Sequence, residues 1–596
     1  VTPADGQLLH QALAQLQAGQ PGPALALLAR MGPAAARHAD ANYLRALAHD
    51  GLGQPAEAIR HFQAATAAAP GNAGIWNSFG AVLDRQGDRA GAIAAWRAAV
   101  QAVPGAFEPW LNLANVLADG PDLAAARNAL ARCRALAPAD ARITAIAARL
   151  ADAEGGPAAA EAVYAAALAL RPDDAASRLG RAVALRRLGR PAEALAELRH
   201  TPATVESAVL RAHLLREVGQ MDAAVAQYQA VLAAAPGHVD AQTSLALLLP
   251  QLGRGGQALD GFRAAVAGGA TMPFWQAALA AASALKDTGQ LGAWAAAARR
   301  QHGPALAWDL ADMTAARLAG DWQAGLALAR AACAAHGNAP ASWQHRAWLA
   351  LRCGELTEAE TAALAATRLL PDHQTPWALL SLIWRLQGDA REAWLINYDR
   401  HVRAGMLDVP KGWANLPAFL ADLAEVLNAR HHASQAPAEQ TLRGGTQTAG
   451  FLFDTSDAVL LAFRDAVLAT VAGLLAGLAP APDHPFLRRL TGRAGMANAW
   501  SVRLQSEGFH INHIHPEGWL SSAFYVALPP EVGAGDAGCI AFGQPEAELG
   551  LALSPRRVEV PEPGKLVIFP SYCWHGTIPF NSAQPRLTAA FDMLPA

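Results

Sequence analysis

Trp76-Asn77-Ser78-Phe79-Gly80, followed by Leu83, Gly87, Ala92-x-x-x-Trp96 and Pro104, is the stretch that decides the fold of most of this chain. Trp76, Phe79 and Leu83 fall at i, i+3 and i+7, so they share one helix face. Gly87 suits a helix end because glycine tolerates the left-handed conformation. A second helix then carries Ala92 and Trp96 and stops before Pro104, which cannot continue it. The preceding unit repeats the pattern as Ala58-x-x-x-Phe62 and Pro70.

Outward from this stretch, two unrelated markers keep one period. Pro70, Pro104, Pro138 and Pro172 recur at a constant step of 34 residues, and Pro236 and Pro371 take equivalent places. Glycines recur at nearly the same step at Gly19, Gly53, Gly87, Gly120, Gly155, Gly189, Gly219, Gly253, Gly289, Gly320, Gly354 and Gly388, with an irregular pair around Gly289. Small residues facing large ones let two antiparallel helices interlock. The pattern resembles the tetratricopeptide repeat family over residues 5–400, about eleven or twelve units. The resemblance implies a right-handed superhelical solenoid whose neighbours bury one another's apolar faces and form a concave groove. By analogy with that architecture, a protein or peptide is the expected occupant of the groove.

Bulk properties narrow the class. A chain of 596 residues is too long for one core. With 53% hydrophobic and 16% charged residues it is not a disordered protein. Net charge is -3, so nothing points to nucleic acid or an anionic membrane surface. No run of 18 residues is uninterruptedly apolar, which argues against a membrane span. Val1 to Asp5 lack a basic region leading into an apolar run, so no signal peptide is expected. Cys133, Cys333, Cys353, Cys539 and Cys573 are scattered and odd in number, which reads as reduced thiols and a cytoplasmic protein. The sequence does not reveal an oligomeric state.

The repeat pattern ends near Gly405 and Pro410. Leu416, Phe419, Leu420, Leu423 and Leu427 predict one more amphipathic helix, and His431 to Thr446, with Gly444-Gly445, predicts a loop. An alanine-rich helix is expected over 455–478. Strands are expected at 497–504, 521–528, 539–543, 565–570 and 586–593, separated by Gly and Pro, as in an antiparallel sandwich or barrel. The expected organisation is a helical repeat domain over 1–405, a helical connector and loop over 406–440, and a β-domain over 441–596.

The β-domain holds the residues that carry chemistry, in Phe509-His510-Ile511-Asn512-His513-Ile514-His515-Pro516-Glu517. Residues two apart share a strand face, so His513 and His515 point one way and His510 and Asn512 the other. Glu517 could add a carboxylate after the proline turn, and His575 a third imidazole. Imidazoles with a carboxylate on one triangular face form the ligand set of a non-haem iron(II) site. Two registers remain open: His515 with Glu517, or His513 with His515 in an all-histidine site. Inclusion of His513 is favoured because it ends an alternating strand that Pro516 breaks. Arg586 opens the last strand with Thr588 on its face, a guanidinium fork beside a hydroxyl that suits a bound carboxylate. His510 reads as a core histidine, and Cys573 as a packed thiol.

His513 to Ser521, then Pro563-Gly564-Lys565-Leu566-Val567-Ile568-Phe569-Pro570-Ser571, then His575 and Arg586 resemble the iron(II)/2-oxoglutarate oxygenases, in a bacterial branch often joined to tetratricopeptide repeats. The resemblance covers about residues 440–596 and implies a double-stranded β-helix, or jelly roll, with flanking helices. It implies His575 as distal iron ligand, and Arg586 as partner of the 2-oxoglutarate C5 carboxylate with Thr588 in support. Tyr525 is a candidate second contact to the cosubstrate, and Arg503 a candidate holder of a carboxylate or substrate. The expected activity is a dioxygenase that hydroxylates a protein or peptide recruited by the solenoid. Two alternatives are a non-catalytic adaptor whose β-domain binds metal or ligand, and an oxygenase acting on a small molecule.

Overall fold

The computed structural model describes residues 2–431, 441–448, 450–455 and 457–596. The chain divides into two compact units, 1–184 and 185–596.

Unit 1 is helical throughout. Its helix pairs include Ala39–Gly51 with Pro55–Ala68, Ala73–Arg85 with Arg89–Ala102, and Phe107–Ala118 with Leu123–Leu136. The structure explains why proline and tryptophan keep one period. The indole N–H of Trp76 donates to the Pro70 carbonyl at 3.0 Å, and that of Trp110 to the Pro104 carbonyl at 2.9 Å. Each repeat thus uses its first helix to satisfy the carbonyl left free where the previous repeat stops. Trp377 does the same for Pro371 in unit 2, at 3.0 Å. Gly80 is required by packing: a Cβ there would lie 2.6 Å from Nε1 of Trp96, whose indole donates to the Asn77 carbonyl.

Most marker glycines do turn the chain. Gly19, Gly53, Gly87, Gly189, Gly219, Gly253, Gly320, Gly354 and Gly388 all have φ between 68° and 82°. Three depart from the expectation. Gly156, with φ 73°, makes the turn in place of Gly155, and Pro157 then starts the next helical segment. Gly289 lies inside helix Thr288–His302, and Lys286 takes the left-handed position at φ 56°. Gly120 does not adopt positive φ.

Unit 2 joins further helix pairs to a two-sheet β-structure. The nine strands are β1 (Arg403–Met406), β2 (Leu442–Gln447), β3 (Ala494–His510), β4 (Leu520–Ala527), β5 (Ile540–Phe542), β6 (Arg557–Glu559), β7 (Lys565–Pro570), β8 (His575–Thr577) and β9 (Arg586–Pro595). The larger sheet runs β1-β7-β4-β9-β3-β2 and the smaller β6-β5-β8, every pairing antiparallel. This is a helical repeat region followed by a β-domain of jelly-roll type.

Two strands lie where the sequence predicts none. Arg403–Met406 was assigned to the repeats and their boundary, but it pairs with β7. The polar stretch expected as a loop contains β2, which pairs with β3 through a register shift at Gly444 (φ 65°). Glycine permits that irregularity, and pairing with a long partner outweighs the weak strand propensity of Leu442–Gln447. The rest of the expected loop, 432–440, lies outside the described residues.

Helix Ala458–Leu475 is long and apolar enough, by length and composition, to cross a membrane. Here Leu460, Phe463, Val467, Val471 and Leu475 pack into the unit 2 core, although Arg464 and Asp465 interrupt the helix. The Phe463 ring lies 4.8 Å from that of Phe524 and 5.6 Å from that of Phe591, on the sheet face opposite the chemistry described below.

One continuous core joins the last repeats to the β-domain, running from Met313 and Trp348 through Leu379 and Leu395 to Phe569 and Met593. Polar contacts pin the junction. Trp574 donates to the Ala378 carbonyl at 2.9 Å and Tyr572 to the Leu395 carbonyl at 3.0 Å. Arg385 donates to the carbonyls of Gly543 and Ser554. A chain beginning at residue 401 should therefore expose the β-domain core and show no cooperative thermal transition by near-ultraviolet circular dichroism. A native-like melt of that fragment would refute the shared core.

Candidate metal centre

β3 ends at His510, so His513 and His515 are not carried by a continuous strand as the alternation predicts. They are held instead by the segment opposite. The His513 N–H donates to the His575 carbonyl at 2.9 Å, and the His575 N–H returns a bond to the His513 carbonyl at 3.1 Å. The His515 N–H donates to the Ser571 carbonyl at 3.1 Å. This zipper brings the three imidazoles together, with ring centroids 4.3 Å (His513–His575), 5.1 Å (His513–His515) and 5.2 Å (His515–His575) apart.

Each ring uses Nδ1 outward. Nδ1 of His513 lies 2.7 Å from the Ile511 carbonyl, and that of His575 2.9 Å from the Cys573 carbonyl. Nδ1 of His515 lies 2.8 Å from the Asp592 carboxylate. A carbonyl or carboxylate oxygen accepts, so Nδ1 carries the proton and Nε2 keeps its lone pair. Nε2 of His515 and Nε2 of His513 stand 3.2 Å apart. Two lone pairs that close repel unless a cation lies between them. Burial, then the neighbouring His515, pushes His513 down to about 3, and burial holds His575 well below the usual imidazole range. The rings are therefore neutral at pH 7, the form that binds metal. One donor atom of each lies within 4.8 Å of the others, so His513, His515 and His575 could hold a metal ion.

Glu517 is not brought to this cluster. Past Pro516 its side chain turns out, is 91% exposed, and lies 3.7 Å from Nε2 of His373. The geometry thus removes the register that pairs His515 with Glu517. The carboxylate comes from Asp592, which the sequence reading missed. On β9, Arg586, Thr588, Ala590 and Asp592 alternate onto one face, so counting by twos beyond Thr588 would have found it. Ser521 holds the other side of Asp592 at 2.8 Å and bonds Ser571 at 2.8 Å. The Trp500 ring stacks on His515, 5.8 Å away and 12° from parallel.

Arg586 is buried, 3% exposed, and pairs with no carboxylate among the described residues. Its guanidinium carbon lies 5.2 Å from the Tyr525 ring centroid. Nε of Arg586 and the hydroxyl of Tyr525 are both buried without a hydrogen-bond partner. Burial pushes Tyr525 up to about 12, against the opposing pull of Arg586, so the hydroxyl keeps its proton as a donor. Tyr525 pairs across the sheet with Thr588, which places both on the face of Arg586. A buried cation beside an unused donor fits an anionic ligand such as a carboxylate. Arg503 does not belong here. It pairs with Leu587, one residue out of step with Arg586, so it points to the opposite sheet face, near Asn428 at 3.5 Å.

Comparison with known proteins agrees with this division. Residues 498–592 match the family described as "Putative 2OG-Fe(II) oxygenase". Residues 39–72, and separately 79–141, 147–202 and 209–273, match tetratricopeptide repeat families. No curated protein matches the chain. Among solved structures, a tetratricopeptide repeat protein from Parabacteroides merdae is 15% identical, over 39% of this chain and 93% of its own, with a TM-score of 0.34. Pseudomonas aeruginosa pilF is 18% identical, over 40% and 95%, with a TM-score of 0.26. The structure titled Naa15/Naa10 bound to HypK-THB is 15% identical, over 65% and 67%, with a TM-score of 0.26.

Two outcomes are expected from this geometry. Asp592→Asn should weaken metal binding by roughly ten- to a hundredfold, read by calorimetric titration, because it loosens the orientation of His515. Arg586→Met should stabilise the ligand-free protein by about 1–3 kcal/mol in urea denaturation, because it removes an unpaired buried charge. A loss of stability in Arg586→Met would mean that the guanidinium is satisfied within the protein.

Proposed function

We propose that this chain, which carries tetratricopeptide repeats within residues 39–273 and a 2OG-Fe(II) oxygenase family domain over 498–592, is an iron(II)- and 2-oxoglutarate-dependent dioxygenase that hydroxylates a protein or peptide. The observation that carries the reading is the pairing of three inward-facing imidazole nitrogens with a buried, unpartnered Arg586 in one domain.

His513, His515 and His575 would hold iron, and Arg586, Tyr525 and Thr588 would hold the distal carboxylate of 2-oxoglutarate. When bound, that pair supplies the oxidising power for C–H hydroxylation, with succinate and carbon dioxide as coproducts. The remaining work belongs to the chain. The Ile511 and Cys573 carbonyls and the Asp592 carboxylate fix each ring's tautomer. Phe569 and Phe542, 4.6 Å and 6.4 Å from the His575 ring, exclude water from one side. The Tyr525 hydroxyl donates to the bound carboxylate, and Arg586 supplies the opposite charge. Fusion to tetratricopeptide repeats supports a proteinaceous substrate, held by the repeats and presented to the β-domain.

Anaerobic addition of iron(II) and 2-oxoglutarate to the purified chain should produce the visible charge-transfer band of the chelate. His575→Ala should abolish the band and Arg586→Ala should weaken it. Admission of oxygen should then release succinate. Bound metal with neither band nor succinate would favour a non-catalytic adaptor.

A further inference from the structure

We propose that unit 1 carries a second metal site, formed by His49, Glu57 and His61, which takes a divalent transition cation of the zinc class. The site lies on the hairpin of helices Ala39–Gly51 and Pro55–Ala68 and does not depend on the function proposed above.

Glu57 and His61 stand one helical turn apart, so they share a face. His49 comes from the last turn of the preceding helix, across the Gly53 turn. The His49 and His61 rings stack face to face, with centroids 5.4 Å apart and planes 7° from parallel. One donor atom from each of the three residues lies within 4.8 Å of the others. Two donors on a tetrahedral zinc ion are about 3.4 Å apart, so small side-chain rotations on these half-buried groups close the set.

The second ring nitrogens are arranged as at a metal centre. Nδ1 of His49 lies 2.7 Å from Oε1 of Gln54, and Nδ1 of His61 lies 3.0 Å from Oδ1 of Asn42. With the amide oxygens accepting, both rings carry their proton on Nδ1 and leave Nε2 as a lone pair. Glu57 also pairs with Arg60, a contact the cation would compete with. Two imidazoles and one carboxylate match zinc in donor type and number, with water in the fourth place. Bound there, the cation ties the end of one helix to the start of the next and stabilises the hairpin by linkage.

The test uses the full chain with His513, His515 and His575 all replaced by alanine, dialysed against cobalt(II) and zinc(II). One equivalent should bind, with a visible cobalt spectrum and a raised unfolding temperature. Adding His49→Ala and His61→Ala should remove the binding and the thermal shift, with helicity retained because alanine favours these helix positions. Glu57→Gln should weaken the binding. If the parent variant does not fold, the wild-type chain replaces it: two equivalents should fall to one in His49→Ala/His61→Ala. No metal bound by the parent variant, or binding that survives loss of both histidines, would overturn the site.

Discussion

The reciprocal backbone bonds between His513 and His575 are the constraint on which the candidate centre depends. β3 has already ended and β8 is only beginning, so neither strand's regular pairing would bring these rings together. The pair of N–H to carbonyl bonds does so, and the His515 bond to Ser571 extends the zipper to the third ring. Three imidazoles in one buried place are compatible only if all are neutral and all present the same nitrogen. Burial supplies neutrality. The carbonyls of Ile511 and Cys573 and the carboxylate of Asp592 supply the common orientation.

The charge arrangement follows from the same geometry. A three-histidine set lacks the negative ligand of the usual triad, but here the carboxylate sits one bond further out, on the far side of His515. A divalent cation held by the rings would still have an anion in its immediate electrostatic environment. At the other end of the same β9 face, Arg586 is a buried charge with no counter-ion. An unpaired buried charge is destabilising. Its presence in an otherwise well-packed domain makes sense when a ligand anion completes it.

How much of this was legible in the sequence depends on the kind of signal. The repeats were readable because two structurally linked features, an indole donor and a terminal carbonyl, keep one period. The His513, His515, His575 and Arg586 grouping was readable from residue type and order. Glu517 misled because spacing says nothing about direction after a proline turn. Arg503 misled because its face is set by pairing with Leu587, which only register reveals. Asp592 was legible in principle, six residues beyond Arg586 and therefore of the same parity. β1 and β2 were not legible, since Arg403–Met406 and Leu442–Gln447 become strands only by pairing with long partners distant in sequence. Boundaries drawn near 405 and 441 divide what the structure packs as one unit.

That packing bears on how recognition and chemistry are connected. The backbone N–H of Gln374, in the first turn of a repeat helix, donates to the Pro516 carbonyl at 2.9 Å. Pro516 follows His515 directly, so a repeat helix holds the loop that supplies a candidate ligand. The same helix receives the Trp574 indole at Ala378, one residue before His575 in the sequence. Two of the three rings are thus adjacent to residues anchored on one repeat. In unit 2, the repeats do not merely hang beside the β-domain, because their core residues and those of the sheet are continuous. A load on helix Gln374–Gln387 would reach His515 and His575 through a hydrogen bond and one peptide link each. Repeats of this kind can therefore set the precision of the centre as well as recruit to it, and the two roles need not be separable by truncation.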